Sequence, residues 1–347
     1  MKAVLKKAAE PGVEYVTDAA EPVAAEGHVV IEVAAASLCG TDRECFEWSP
    51  AAQAFGPDLP VVLGHEGAGT VVEVGPGVTG LRAGDRVALE SHMACGQCFA
   101  CATGHGNTCE GTRVLGMHTG GVFAERAAVP AGICVQLPDG VSLETGALLE
   151  SAGVAVHAVQ RAGRSIAGRG VVVSGGGPVG LVTAHLALRT GAAFVVVVEP
   201  NPFRRERAEQ LGAIAVEPGP AAAERCRELA GRRGGAEVAF ECSGVSAALP
   251  PLFDAVGREG VVITVGNPSS AIGIDVAAHI NKKGITVRGV FGRRLWETWE
   301  QALLLLDSGR LDLDWLITHR LPLAEVRDAL KLLTGDACKV VLTPGSR

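Results

Sequence analysis

The chain has 347 residues, which is enough for two domains with a large buried core. Its net charge of −7 argues against a nucleic-acid partner and against an anionic membrane surface. No apolar run reaches transmembrane length and the N-terminal segment lacks a signal-peptide pattern, so we expect a cytoplasmic protein. In a large intracellular enzyme, clusters among its ten cysteines indicate metal binding or catalysis more often than disulfides.

The N-terminal segment has the alternating pattern of short strands, most clearly over His28–Ala36. Cys39 follows, and taken alone it would most often be a small buried hydrophobic residue. The segment from Gly64 to Val78 changes that interpretation, because it reads GHEGAGTVVEVGPGV and fills every fixed position of G-H-E-x-x-G-x5-G-x-x-V. This motif closely resembles the zinc alcohol dehydrogenase signature. The chain is therefore identified as similar to the medium-chain, zinc-dependent dehydrogenase/reductase family.

The family resemblance implies a catalytic zinc site. Cys39 and His65 would bind the ion, and Glu66 would either enter the first shell or support it. The third protein ligand would be Glu150, because the stretch LLESAGVAVH resembles that of polyol and threonine dehydrogenases, with serine in place of the usual proline. A thiolate, an imidazole and a carboxylate leave the fourth tetrahedral position open for water or a substrate oxygen.

Three further polar residues are candidates for the substrate site. Thr41 stands two residues after Cys39, where the family's hydroxyl proton relay lies; a buried, hydrogen-bonded hydroxyl is the alternative. His92 precedes the cysteine-rich segment and His118 follows it, and the resemblance implies that both line the substrate cleft. A lone histidine is otherwise more often a structural residue.

Four cysteines form the strongest isolated metal motif of the chain. Cys95, Cys98, Cys101 and Cys109 have the spacing C-x2-C-x2-C-x7-C. Four thiolates at this spacing can close a tetrahedral site with no open position, which would be structural. An iron–sulfur cluster has similar ligands, but the resemblance favours zinc, and a redox disulfide would leave two cysteines unused. Together with the catalytic site, this predicts two zinc ions per chain.

A strand–loop–helix–strand pattern runs from Val171 to Glu199. Its glycines follow G-x-G-x-x-G: the first allows a tight turn, the second lets a pyrophosphate approach the backbone, and the third lets helix and strand pack closely. The N–H groups of the helix N-terminus would face the phosphates. The cofactor-binding residues predicted from this pattern are Gly175, Gly177, Pro178, Val179 and Gly180.

Glu199 favours NAD over NADP as the cofactor. A carboxylate at the end of the second strand accepts hydrogen bonds from the adenosine ribose hydroxyls and repels a 2′-phosphate. Arg204 and Arg205 follow; they would either pair with such a phosphate or be solvated helix residues. Val265 ends a later strand whose loop would face the nicotinamide.

The predicted fold class is α/β, with a GroES-like β-barrel catalytic domain, implied by the resemblance, and a doubly wound Rossmann domain. Residues 151–295 alternate apolar strands with helical patterns and would form the NAD-binding parallel sheet. Residues 1–150 and 296–347 would form the catalytic domain, with a structural zinc lobe at about 90–112. The strands predicted for the Rossmann domain are Val171–Ser174, Val195–Val198, Ile214–Val216, Val238–Cys242, Val261–Val265 and Ile285–Val290.

Several stretches resemble the threonine dehydrogenases within this family, among them Cys39–Asp42, Glu90–Gly96 and Ile317–Arg320. The implied activity is hydride transfer from a secondary alcohol, most like L-threonine, to NAD. Two departures are Glu44, where the threonine dehydrogenases commonly carry histidine, and Val154, where they carry asparagine. They leave a polyol, a diol or a biosynthetic-pathway alcohol as the alternative substrate.

Two other classes of protein explain less of the sequence. A dinucleotide-binding protein without catalysis would leave the set Cys39, His65, Glu150 and Thr41 without a purpose. A zinc-finger-like nucleic-acid binder is contradicted by the acidic charge and by the lack of a basic patch. The expected partner is a small-molecule alcohol, with neither nucleic acid nor membrane. The family further implies a homo-oligomer, a tetramer before a dimer, paired through the last predicted Rossmann strand.

Overall fold

The computed structural model describes residues 1–268 and 270–345. The strands of the N-terminal part are β1 (Ala3–Lys6), β2 (Glu14–Val16), β3 (His28–Ser37), β4 (Val61–Val62), β5 (Glu66–Val74), β6 (Arg86–Leu89), β7 (His92–Met93), β8 (Arg113–Val114), β9 (Arg126–Pro130) and β10 (Cys134–Gln136). Its helices are α1 (Gly40–Glu47), α2 (Pro50–Phe55), α3 (Phe99–Ala102) and α4 (Leu143–Arg161).

The strands of the middle part are β11 (Gly170–Ser174), β12 (Phe194–Val198), β13 (Ile214–Val216), β14 (Ala236–Glu241), β15 (Val256–Thr264) and β16 (Thr286–Gly289). Its helices are α5 (Pro178–Arg189), α6 (Pro202–Gln210), α7 (Pro220–Ala230) and α8 (Leu249–Ala255), followed by a π-helical segment, Val276–Asn281. The C-terminal part adds α9 (Glu297–Asp307), β17 (Ile317–Pro322), α10 (Val326–Leu332) and β18 (Lys339–Thr343).

The chain divides into two compact units. Unit 1 consists of Met1–Ser151, Arg294–Asp307 and Asp312–Arg347, and unit 2 consists of Ala152–Arg293 and Ser308–Leu311. Within the described ranges, no helix is both long enough and apolar enough to cross a membrane.

Unit 1 is built on a mixed sheet with the strand order β10-β6-β5-β3-β18-β17, to which β9 adds by pairing with β3. Strand β3 is mostly buried, with Glu32 and Ala34 exposed, and its Val29, Ile31 and Val33 join the core of this unit. The antiparallel register pairs Ser37 of β3 with Glu66 of β5 and with Val341 of β18. The end of β3 and the beginnings of β5 and β18 therefore meet at one edge of the sheet.

Unit 2 contains six parallel strands in the order β13-β12-β11-β14-β15-β16. All residues of the central strand β11 are buried, as expected for a β-branched run covered on both faces. Counted from β11, this order is the 3-2-1-4-5-6 order of a doubly wound sheet, so the prediction for this part of the chain is confirmed. Strand β15 begins at Val256 rather than Val261, and its pairing with β14 is irregular between Ala236 and Val238.

Candidate active site

The sheet edge of unit 1 brings together three potential metal ligands. Cys39 follows β3 and His65 precedes β5, so the Ser37–Glu66 register sets them side by side. A ligand atom from each of Cys39, His65 and Glu66 lies within 4.8 Å of the other two, and His65 and Glu66 are buried. Thiolate, imidazole and carboxylate together are a donor set that suits zinc.

Asp42 orients this cluster, a role that the sequence analysis missed. Its Oδ2 accepts a hydrogen bond from the backbone N–H of Cys39 at 2.9 Å, and its Oδ1 lies 3.3 Å from Nδ1 of His65. Burial alone would lower the pKa of His65, but Asp42 and Cys39 outweigh burial and raise it well above its ordinary value. With Nδ1–H directed at Asp42, Nε2 is the ring nitrogen left to bind a metal.

Glu66 forms a buried ion pair with Lys339. Lys339 is the first residue of β18, and the pairing of Val341 with Ser37 places the start of this strand near Glu66. Lys339 donates to Oε2 of Glu66, whereas Oε1 is buried and has no hydrogen-bond partner among the described residues. Burial raises the pKa of Glu66, and the Lys339 ammonium opposes that shift. The sequence offered no signal for Lys339, because its partner lies 273 residues away.

Glu150 lies in the buried part of α4 and is held by Ser91, whose hydroxyl donates to Oε1 at 2.5 Å. It is not part of the three-residue group formed by Cys39, His65 and Glu66. Its negative charge nevertheless contributes to the raised pKa of Glu66. Glu150 therefore lies outside the three-residue group, but near enough to Glu66 for its charge to act on that carboxylate.

The three polar candidates have different surroundings. Thr41, in the first turn of α1, accepts a hydrogen bond from the Cys39 thiol at 3.7 Å. His92 packs beside Glu90, whose Oε1 accepts from the His92 backbone N–H at 2.8 Å and lies 3.3 Å from Nδ1. His118 differs, because Nδ1 accepts from the Val114 backbone N–H and Nε2 lies 3.1 Å from the Phe55 carbonyl. Backbone groups thus occupy both of its ring nitrogens.

The four clustered cysteines converge around α3. The sulfur atoms of Cys95, Cys98, Cys101 and Cys109 all lie within 4.8 Å of one another. All ten cysteines belong to the described residues and all are free thiols. The Cys95 backbone N–H donates to Cys109 Sγ at 3.2 Å, which lowers the pKa of Cys109 to about 6. This closed set of four sulfurs suits a tetrahedral metal site with no open position.

The glycine loop of unit 2 has the geometry that its motif requires. Gly175 has φ +95°, and a Cβ on Gly180 would lie 1.9 Å from the Gly175 carbonyl oxygen. Gly177 is the N-cap of α5, where a Cβ would meet nothing within 4 Å. Pro178 and Val179 open the helix. The loop is therefore tight at Gly180 and open at Gly177.

Glu199 closes one side of a cavity of about 380 Å³ that begins at this loop. Its Oε2 accepts from the Gly176 N–H at 2.6 Å and its Oε1 accepts from the Asn201 N–H at 2.9 Å. Arg204 also lines the cavity, whereas Arg205 donates to the Glu199 carbonyl and pairs with Glu217. Val265 follows β15 and donates its N–H to the Glu241 carbonyl, outside this cavity lining.

Comparison with known proteins agrees with this geometry. Residues 25–139 match the alcohol dehydrogenase GroES-like domain, and residues 178–308 match the zinc-binding dehydrogenase domain. An L-threonine 3-dehydrogenase of Pyrococcus abyssi is 41% identical over 323 residues, which cover 92% of this chain and 91% of the relative. The chain belongs to the zinc-binding alcohol dehydrogenase family. The resemblance predicted from the G-H-E motif and the predicted fold class are both confirmed.

Solved structures of this family have the same fold over nearly the whole chain. The 2R,3R-butanediol dehydrogenase of Bacillus subtilis is 30% identical with a TM-score of 0.89, covering 99% of both chains. An alcohol dehydrogenase of Escherichia coli CFT073, complexed with NADH, is 25% identical with a TM-score of 0.89 and the same coverage. The chain is thus an oxidoreductase of the NAD(P)-dependent alcohol dehydrogenase type.

Proposed function

We propose that this zinc-binding alcohol dehydrogenase oxidises a secondary alcohol with NAD, and that L-threonine is its substrate. The observation that carries the mechanism is the convergence of Cys39, His65 and Glu66 within 4.8 Å. The substrate assignment is supported by the threonine dehydrogenase of Pyrococcus abyssi, which is 41% identical. Alcohol oxidation accounts for both the cysteine–histidine–carboxylate set and the glycine loop.

The catalytic zinc would be held by Cys39, His65 and Glu150, and Glu66 would either bind the ion as well or support its ligands. The donor chemistry fits zinc, and the buried, unpartnered Oε1 of Glu66 is the kind of atom that a cation would satisfy. When bound, zinc supplies Lewis-acid polarisation of the substrate oxygen. The four clustered cysteines would hold a second, structural zinc, giving two ions per chain.

The protein's own groups would move the proton and orient the cofactor. Thr41 would accept the proton of the alcohol's hydroxyl group at Oγ1 and pass its own hydroxyl proton toward solvent. NAD, when bound, would supply the hydride acceptor. His92, held by Glu90, would contact the substrate. The contact between the Cys39 sulfur and the Thr41 hydroxyl supports this assignment of the relay.

The cavity beside the glycine loop would bind the adenosine end of NAD. Gly175, Gly177, Gly180 and the first residues of α5 would hold the pyrophosphate, and Glu199 would accept from the ribose hydroxyls. The buried carboxylate of Glu199 disfavours a 2′-phosphate, so NADP would bind less well, although Arg204 shares the cavity lining. Val265 would lie near the nicotinamide.

A diol or polyol is the second candidate substrate. It is favoured by the similarity to butanediol dehydrogenase and by Glu44 and Val154, which depart from the threonine dehydrogenase pattern. Initial rates of NAD reduction with L-threonine, 2,3-butanediol and sorbitol separate the two. The highest kcat/KM with L-threonine is expected; a preference for butanediol or sorbitol would overturn the substrate while keeping the mechanism.

We further propose a cytoplasmic homo-oligomer, a tetramer before a dimer. The edge strand β16 supports this, because Thr286, Val287 and Gly289 are exposed on the last strand of the parallel sheet. Light scattering at micromolar concentration is expected to give a mass of four chains. A mass of one chain would contradict pairing through this edge.

A further inference from the structure

Lys339 is a buried cation in contact with Glu66. The side chain is 1% exposed, and Nζ donates to Oε2 of Glu66 and, at 3.3 Å, to the carbonyl of Leu38. Removing two charges from water carries a large desolvation penalty, so a buried pair is poor evidence of a purely stabilising role. The position of this pair, at the edge where the metal ligands converge, points to the site itself.

The two oxygens of Glu66 have different surroundings. Oε2 is engaged by Lys339, whereas Oε1 is buried and finds no hydrogen-bond partner in the described part of the chain. A carboxylate oxygen of Glu66 also lies within 4.8 Å of the donor atoms of Cys39 and His65. A buried oxygen without a partner is costly unless a cation satisfies it.

The charges of the cluster also call for a cation. A Cys39 thiolate with the carboxylates of Asp42, Glu66 and Glu150 carries four negative charges, of which a divalent ion neutralises two. The ammonium of Lys339, which donates to Glu66, offsets one of the two charges that remain.

We propose that Lys339 is a positioning residue of the metal site: it holds Oε2 of Glu66 and offsets part of the site's excess negative charge, so that Oε1 is kept for the metal ion. The inference rests on the proposed function, in which zinc binds at Cys39 and His65. The backbone of β18 and the Leu38 carbonyl fix where Nζ lies, so the cation is set in place before any metal arrives.

Three substitutions separate the charge of Lys339 from its hydrogen bond. Lys339→Arg keeps both, Lys339→Gln keeps a donor without the charge, and Lys339→Met removes both at similar size. The dissociation constant for zinc is measured by competition with a chromophoric chelator. The Cys39→Ser variant identifies the fraction of metal bound at the catalytic site, since the four-cysteine site keeps its ligands.

We expect Lys339→Met and Lys339→Gln to bind the Cys39-dependent zinc about 10- to 100-fold more weakly, the usual effect of losing a partner of a metal ligand. Lys339→Arg is expected to retain most of the affinity. A second readout is the thiolate–cobalt absorption of Co²⁺-loaded protein, taken as the difference from Cys39→Ser. This absorption should change in Lys339→Met and Lys339→Gln and should match that of the unmodified protein in Lys339→Arg.

Lys6→Met is the matched control, because Lys6 is also fully buried in unit 1 but donates to the backbone carbonyls of Glu10 and Gly12. Its Cys39-dependent zinc affinity should equal that of the unmodified protein. If Lys339→Met does not fold, the Lys339→Gln and Lys339→Arg variants decide the question. Weaker zinc binding by Lys339→Gln, together with retained zinc affinity in Lys339→Arg, supports the inference. Equal affinities and spectra across the Lys339 series overturn it.

Failure of the proposed function gives a different result. The unmodified protein would then show no Cys39-dependent metal at all, which overturns the metal site together with the role of Lys339. If Cys39-dependent metal is present but its affinity does not change in the Lys339 variants, only the positioning role of Lys339 is overturned.

Discussion

The carboxylate of Glu199 accepts a hydrogen bond from the Gly176 N–H at 2.6 Å, which ties the end of β12 to the glycine loop after β11. The same carboxylate accepts from the Asn201 N–H, and it is 4% exposed. One side chain therefore holds the loop that would receive the pyrophosphate and presents negative charge to the cavity. In the proposed function, cofactor selection and loop geometry would depend on the same group.

Replacing Glu199 by glutamine should weaken NAD and admit NADP. Glutamine keeps an acceptor oxygen but loses the charge, which is worth about 1 to 2 kcal/mol in such hydrogen bonds, or about 5- to 30-fold in affinity. We expect the KM for NAD to rise by that factor and the KM for NADP to fall. Glu217→Gln, at an exposed carboxylate paired with Arg205, is the control. Unchanged cofactor preference would contradict the role of Glu199.

The two ends of the glycine loop should respond differently to one added methyl group. Gly180→Ala places Cβ 1.9 Å from the Gly175 carbonyl oxygen, and such overpacking costs about 1 to 3 kcal/mol of unfolding free energy. Gly177→Ala meets open space and should cost less than about 1 kcal/mol as an N-cap change, yet it should abolish NAD binding. Urea unfolding and NAD titration together test the pair. Tight NAD binding by Gly177→Ala would exclude pyrophosphate from this position.

The doubly wound sheet could be predicted because its information is local. The β-branched runs at β11 and β12, and the glycines between them, specify strand, turn and helix without reference to distant residues. The start of β15 at Val256 was missed, because the residues before Val261 include Gly257, Arg258 and Gly260 and do not have a strand's alternating pattern. Tertiary pairing with β14 extends the strand there.

The candidate metal site could be predicted only in part, because some of its residues are brought together by strand pairing rather than by local sequence. Cys39, His65 and the four clustered cysteines lie in motifs, whereas Lys339 has no motif and acquires its place from the pairing of β18 with β3. Asp42 follows Thr41, the predicted proton relay, in the sequence. Its role in orienting His65 could not be predicted, because the two side chains come into contact only in the folded chain. The placement of Glu66 beside Cys39 and His65 likewise depends on the register of β3 and β5.

Thr41 should matter for turnover rather than for metal binding. Thr41→Val removes the hydroxyl at similar size, and loss of a positioned proton-transfer group lowers kcat by about 10²- to 10⁴-fold. The zinc content should stay the same, because Thr41 is not among the clustered ligands. Thr41→Ser keeps the hydroxyl and is expected to retain most of the activity. An unaltered kcat in Thr41→Val would contradict a role for Thr41 in proton transfer.

The four-cysteine site should stabilise its lobe. Cys98→Ser breaks a closed set of thiolates, and structural zinc sites contribute directly to folding free energy. We expect loss of one zinc per chain, a lower Tm and faster proteolysis within about residues 90–112. Cys134→Ser, at a cysteine outside either metal-ligand group, should leave zinc content and Tm unchanged. A Cys98→Ser variant with full zinc content would contradict the site.

The most direct test of catalysis at the Cys39–His65–Glu66 cluster is the initial rate of NAD reduction with L-threonine, measured on protein whose zinc has been counted, beside the Cys39→Ser variant. We expect two zinc ions and turnover in the unmodified protein, and one zinc ion with turnover lost in Cys39→Ser. Turnover that persists in Cys39→Ser after one zinc ion has been lost would contradict catalysis at the Cys39–His65–Glu66 cluster.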